Sequence, residues 1–327
     1  MTVDQVIYLV FGIVLVIALA LDLGVMSKRH AHITIKKALY QTLFWVGLSV
    51  GFCLFLWFEK NSIVATKFFT AYLMEWSLSV DNIFVFILIF TFFKVKEDDA
   101  ARALLIGILL AIVFRIVFIA VGIELIDRFH WLLYVFGFFL LYTGYKLFFN
   151  KDDHDYDPSQ SKVYKLTMRL FRVTNIEANG RFIVNIGGKI FFTSLALVVI
   201  MLAFTDIVFA LDSIPTVVSL VRTKANVPFT ADDKLVIYSS NIFAVLGLRS
   251  LFFLLKGAVN KFAYLQQGIA IVLVFIGVKM LIEFFDIHIS IFVSLAFVVL
   301  CLSGSIIYSG IAARKKTLPH EVKKVDA

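Results

Sequence analysis

The chain has 327 residues, of which 61% are apolar and 16% aromatic, and its mean hydropathy is +0.94. Soluble domains are about 45–50% apolar, so this excess, arranged as one apolar stretch of about 20 residues after another, excludes a soluble globular protein and predicts an all-α polytopic membrane protein. The formal net charge of +8 does not point to nucleic acid, because the basic residues fall between apolar stretches without interleaved base-stacking aromatics.

Nine transmembrane spans are predicted, at 4–26, 39–58, 63–93, 103–125, 131–149, 190–222, 235–256, 262–283 and 290–311. The apolar stretch of the first, Val6 to Val25, is preceded by Asp4 and no basic residue and followed by Lys28, Arg29, Lys36 and Lys37. That is the reverse of a signal peptide's charged n-region, so a retained helix with its N-terminus outside is expected. Nine crossings put the C-terminus on the other side. Loops then assigned to the cytoplasm carry 21 Lys and Arg against 6 outside, as the positive-inside rule requires for the inner membrane of a cell. Cys53 and Cys301 lie within apolar stretches and read as buried hydrophobes rather than as a disulfide or thiolate metal site.

The third and sixth spans carry matching motifs, MEWSLSVDNIFVF and TDIVFALDSIPTV. Aligned, Glu75 matches Asp206, Asp81 matches Asp212, Asn82 matches Ser213 and Ile83 matches Ile214. The match extends outward. Arg115 in the fourth span corresponds to Arg249 in the seventh, and Lys146 of GYKL to Lys279 of GVKM, at intervals of 34 and 37 residues from second Asp to Arg and 31 and 30 from Arg to Lys. A three-span unit enters the membrane from opposite sides in its two copies. An inverted repeat of the transporter kind is therefore predicted, with its site near the midplane. The chain divides into two peripheral spans (1–62), repeat 1 (63–149), a cytoplasmic basic loop (150–189), repeat 2 (190–283), and a last span with a basic tail (284–327). The loop begins acidic, KDDHDYD, and turns into the basic amphipathic run KVYKLTMRLFRV, which fits a helix resting on the anionic inner surface.

Six ionisable side chains, Glu75, Asp81, Asp206, Asp212, Arg115 and Arg249, fall inside spans. At about 2.5 to 3.5 kcal/mol each on insertion scales they represent on the order of 15–20 kcal/mol if unpaired. An internal salt-bridge network, with Arg115 and Arg249 compensating the acids, is one resolution. Four acids against two arginines leave two negative charges, which suit one divalent cation or two protons. In an unbroken helix the second Asp of each motif sits about 120° round from the first acid. Pro215 after the second motif, and spans of about 46 to 50 Å if fully helical, predict discontinuous helices there. Every donor in the motifs is an oxygen, which suits Mn²⁺, Mg²⁺ or Ca²⁺ over softer metals. Asn241, eight residues before Arg249, is a further oxygen donor, and Asp22 in the first span is an access-route or ligand candidate. Glu124 reads as interfacial, and Lys146 and Lys279 as snorkelling. No permanently bound cofactor is called for.

With ALDLGVMSKRH, KKALYQTLFWVGLSVGF, EWSLSVDNIFVF and FTDIVFALDSIPTV in view, the chain resembles the TerC family, in its longer Alx-like branch. That resemblance covers nearly the whole chain. It implies metal homeostasis, chiefly manganese export, a historical link to tellurium resistance, and a lysine-exporter-like inverted repeat. It also implies Glu75, Asp81, Asp206 and Asp212 as cation ligands with Asn82 and Ser213 assisting. The expected function is a secondary transporter that exports Mn²⁺, possible proton exchange included, and not an enzyme. The GxxxxGK[ST] nucleotide motif is absent, and so is the GxGD element of intramembrane aspartyl proteases. The alternative is a non-transporting membrane partner in a metal-stress, tellurite-resistance or secretion complex.

Overall fold

Each of the nine apolar stretches contains helix in the computed structural model, which describes residues 3–24, 34–129, 131–149, 164–165, 168–169, 172–174, 180–222, 228–256, 264–285, 287 and 289–317. The helices are α1 Val3–Gly24, α2 Ile35–Glu59, α3 Ser62–Phe92, α4 Glu97–Arg128, α5 Leu132–Phe149, α6 Ser194–Val221, α7 Ala231–Leu246, α8 Leu248–Lys256, α9 Leu265–Ile282 and α10 Ile291–Thr317. Four helical segments, Ile35–Glu59, Asp99–Arg128, Leu132–Phe149 and Phe292–Ala312, are long and apolar enough to cross a membrane, and α7 with α8, bent by 42°, makes a fifth. Their outward faces expose Tyr40, Phe58, Phe138, Tyr142, Leu300 and Ile307, a surface that hydrocarbon rather than water covers. The chain is a multi-pass helical membrane protein.

Local chemistry sets the helix starts. Asn61 Oδ1 accepts from Val64 N at 2.9 Å to cap α3, and Thr193 Oγ accepts from Ala196 N to cap α6. Thr230 and Asp233 form a reciprocal capping box on α7. Lys60 and Lys67 reach Asp232 and Asp233 at 2.7 Å each, pinning the start of α7 to the turn between α2 and α3.

Helices α3 and α6 lie at the centre. Helix α3 packs on α7 and α6, while α6 packs on α4 and α3; α5 pairs lengthwise with α9. The remaining helices clad this group: α1 on α7, α2 on α3 and α8, and α10 on α9 and α3. The α5–α9 contact is close because glycines remove the side chains between the backbones. A Cβ on Gly277 would stand 2.8 Å from Gly137 O, and one on Gly144 would stand 2.8 Å from Ala270 O. Aromatic rings of Phe11, Phe52, Phe68 and Phe243 tie α1, α2, α3 and α7 together at centroid separations of 5.1–6.0 Å.

The structure corrects three expectations. Both motif helices are unbroken: α3 runs through its motif, and α6 continues through Pro215. Proline removes one donor, but neighbouring helices make such a residue tolerable within a membrane bundle. The break falls instead at Gly247, inside the seventh predicted span. The sixth span begins at Ser194 and not at 190, because Lys189–Thr193 form a strand, β3, paired antiparallel to β2, Ile183–Ile186, and parallel to β1, Val173–Thr174. Gly187 and Gly188, at φ of 57° and 76°, make the tight hairpin turn. The acidic KDDHDYD run and much of the basic amphipathic run that follows lie outside the described residues.

The α5–α9 contact predicts a ranking of stability. Gly277→Ala and Gly144→Ala force backbones apart and should cost about 1–3 kcal/mol. Gly12→Ala, with no atom within 4 Å of where the added methyl would stand, should be neutral or stabilising. Thermal unfolding of the purified protein in detergent checks the order.

Candidate functional site

Hydroxyls in an apolar helix are normally satisfied by the carbonyl one turn back. Thr66, Thr70 and Thr205 do this, donating to Ser62 O, Thr66 O and Met201 O at 2.7 Å each. Ser77 and Ser79 do not: their Oγ atoms are buried without a hydrogen bond, while the Ser213 hydroxyl turns to the Glu75 carboxylate. All three belong to the acidic motifs. Uncommitted oxygen in the helix core is the first mark of the site.

The second mark is a buried ion network. Arg115, 2% exposed, presents its Nε and Nη2 to the two carboxylate oxygens of Asp206 at 2.9 and 3.0 Å, a bidentate fork. Its Nη1 donates to Glu75 Oε2 at 2.8 Å and to Asn241 Oδ1 at 3.0 Å. Asn241 Nδ2 closes the ring by donating to Glu75 Oε1 at 2.7 Å. Four helices meet here: Glu75 comes from α3, Arg115 from α4, Asp206 from α6 and Asn241 from α7. Counted with both carboxylates ionised, the network carries one net negative charge, and all four residues are buried.

The structure therefore brings Glu75, Asp206, Arg115 and Asn241 together. Asn241, expected as a spare oxygen donor, spends its oxygen on Arg115. Asn82 and Ser213 are buried, at 4% and 2% exposure, on the same two helices. Arg249 is buried at 5% in the first turn of α8, just past the bend at Gly247. The backbones of Asp22, Asp81 and Asp212 are helical, but their side chains lie outside the described residues. Among the described residues no three His, Cys, Asp or Glu side chains are grouped as a metal site. A cavity of about 10 Å³, scarcely one water's worth of space, lies beside Asp206 and is lined by Gly107, Ala111, Leu202 and Leu248 among others.

Lys279 departs from expectation. It does not snorkel: it is 2% exposed and donates to Ser219 O at 3.0 Å, joining α9 to α6. Its apolar neighbours Ile276 and Met280, both buried, were the available signal. Lys146 is exposed, and Glu124 forms an exposed pair with Arg128 at 2.7 Å. Cys53 and Cys301 are both free thiols, in keeping with their apolar surroundings in the sequence.

The sequence profile of the integral membrane protein TerC family matches residues 60–317. A Salmonella typhi protein named "Putative membrane-bound redox modulator Alx" is 39% identical over 303 residues, covering 90% of this chain and 91% of that one. A Myxococcus xanthus protein, "Uncharacterized membrane protein STKORF319", is 40% identical over 298 residues, covering 90% and 89%. An uncharacterized membrane protein of Rickettsia bellii is 35% identical over 312 residues, covering 94% and 99%. No solved structure matches the chain.

Replacing Asn241 with Leu leaves Glu75 Oε1 and one N–H of Arg115 unsatisfied in the core. Asn241→Leu should lower stability by about 1–3 kcal/mol, read as a drop in the detergent melting temperature.

Proposed function

The chain belongs to the TerC family of integral membrane proteins, and on that premise we propose that it is a secondary transporter exporting a hard divalent cation, foremost Mn²⁺, from the cytoplasm. The observation that carries this reading is the convergence of Glu75 and Asp206, the first acids of the two motifs, on one buried point between α3 and α6. Carboxylates held in an apolar core are costly and are kept for ion or proton pathways. The all-oxygen donor set of Glu75, Asp81, Asn82, Asp206, Asp212 and Ser213, with the neighbouring Ser77 and Ser79 hydroxyls left uncommitted, suits a hard ion. Mg²⁺ and Ca²⁺ satisfy the same chemistry, and Mn²⁺ is preferred on the family resemblance. Exchange against protons would let the same carboxylates release the ion.

We read the two halves as inverted repeats within nine spans, with the N-terminus outside and the C-terminus in the cytoplasm of a cell membrane. Reciprocal packing supports this. Helix α3 meets α7 as α6 meets α4, which is what a pseudo-two-fold exchange of the halves demands. Matching Lys146 to Lys279 sets Gly144 against Gly277 and Gly137 against Ala270. The close contacts Gly144 to Ala270 and Gly277 to Gly137 are then each other's images. Helices α1, α2 and α10 stand outside this exchange.

A second reading, a membrane partner without transport activity in a metal-stress, tellurite-resistance or secretion complex, draws on the redox role in the Salmonella relative's name. Flux separates the two. The purified chain in liposomes should move Mn²⁺, compared with Mg²⁺ and Ca²⁺ and with and without a pH gradient; no flux favours the partner. In a manganese-sensitised host, Asp81→Ala and Asp212→Ala should each abolish manganese tolerance. Unchanged intracellular manganese in both variants, at normal expression, would overturn the assignment.

A further inference from the structure

Both oxygens of each network carboxylate are already taken. Arg115 covers Oδ1 and Oδ2 of Asp206 and Oε2 of Glu75, and Asn241 holds Glu75 Oε1. Each of these oxygens keeps a second lone pair, but a divalent ion that uses them would stand beside the guanidinium in the buried core, where the repulsion of the two cations favours withdrawal of one. We propose that Arg115 is a tethered cation that occupies the Glu75–Asp206 site while the transporter is empty and withdraws when the ion binds. This rests on the transporter reading above and adds how the empty protein completes its cycle.

The charge balance gives the reason. With Arg115 in place the network carries one net negative charge. With Arg115 withdrawn and a divalent ion bound, the two carboxylates and the ion sum to zero. Empty and without Arg115, the two carboxylates from opposite halves would have to take up protons before facing each other in the buried core. The tethered charge thus lets the empty transporter change conformation without an ion aboard. Ser213, whose hydroxyl turns to Glu75, supplies a further oxygen to the incoming ion.

The test uses the full-length chain in liposomes, with net Mn²⁺ efflux and the exchange of labelled for unlabelled Mn²⁺ measured side by side. Exchange needs only the loaded form to move; net efflux also needs the empty form to return. Arg115→Gln should lower net efflux by about tenfold more than it lowers exchange, as expected for an uncompensated buried charge in the empty form. Arg115→Lys keeps the charge but not the fork, so net efflux should persist while Mn²⁺ binds more tightly than to wild type. Equal loss of exchange and net efflux in a folded Arg115→Gln protein, or full retention of both, overturns the proposal. Should Arg115→Gln fail to fold, unchanged or weaker Mn²⁺ binding by Arg115→Lys overturns it. A wild-type protein with neither flux nor exchange overturns the transporter reading itself, whatever Arg115 does.

Discussion

A single guanidinium in the buried core sets the geometry of the central helices. Arg115 reaches from α4 to carboxylates on α3 and α6 and an amide on α7, and every one of its partners is buried. In such a place a charge without partners is far less favourable than one with them, so the register of these four helices is constrained by hydrogen-bond lengths of 2.7–3.0 Å. Nonpolar packing alone specifies register loosely between apolar helices in lipid, where the hydrophobic effect does not drive association. A directional fork specifies it tightly.

The unbroken course of α3 and α6 changes how a site is made here. Discontinuous transporter helices offer backbone carbonyls and helix ends to an ion. In this chain the motif region offers side chains instead, projected from intact helices into the space between them. The hydroxyls of Ser77, Ser79 and Ser213 stay off their own backbones, in contrast to Thr66, Thr70 and Thr205. The bend is displaced to Gly247, where it sets Arg249 at the head of a separate short helix. Lys279 plays a bracing role one layer away, tying α9 to the carbonyl of Ser219 on α6. Close glycine contacts between α5 and α9 pack that pair tightly beside the same group.

Much of this was legible in the linear chain, and the limits are physical. Apolar run length determined that the protein is helical and membrane-embedded, because hydrocarbon admits only backbone that satisfies itself. The paired motifs, with Arg115 and Arg249 spaced alike after them, determined that charge is buried and must be compensated. What the chain order could not decide was which charge meets which. That depends on the rotation and depth of α4 and α7 against α3 and α6, a matter of side-chain interlocking between segments up to 166 residues apart. The same cause hid the burial of Lys279, whose carbonyl partner lies on another helix, and the intact helix at Pro215, where neighbours outweigh a local propensity. The hairpin before α6 was hidden differently: NIGGKIFFT carries a turn signal, but its apolar residues merge into the following span and read as its beginning. Sequence alone thus determined the solvent, the helical character of the long apolar stretches and the presence of buried acids, since these follow from composition and run length. Only the tertiary structure decided that Arg115 stands between Glu75 and Asp206, since that pairing exists only once separate helices are packed.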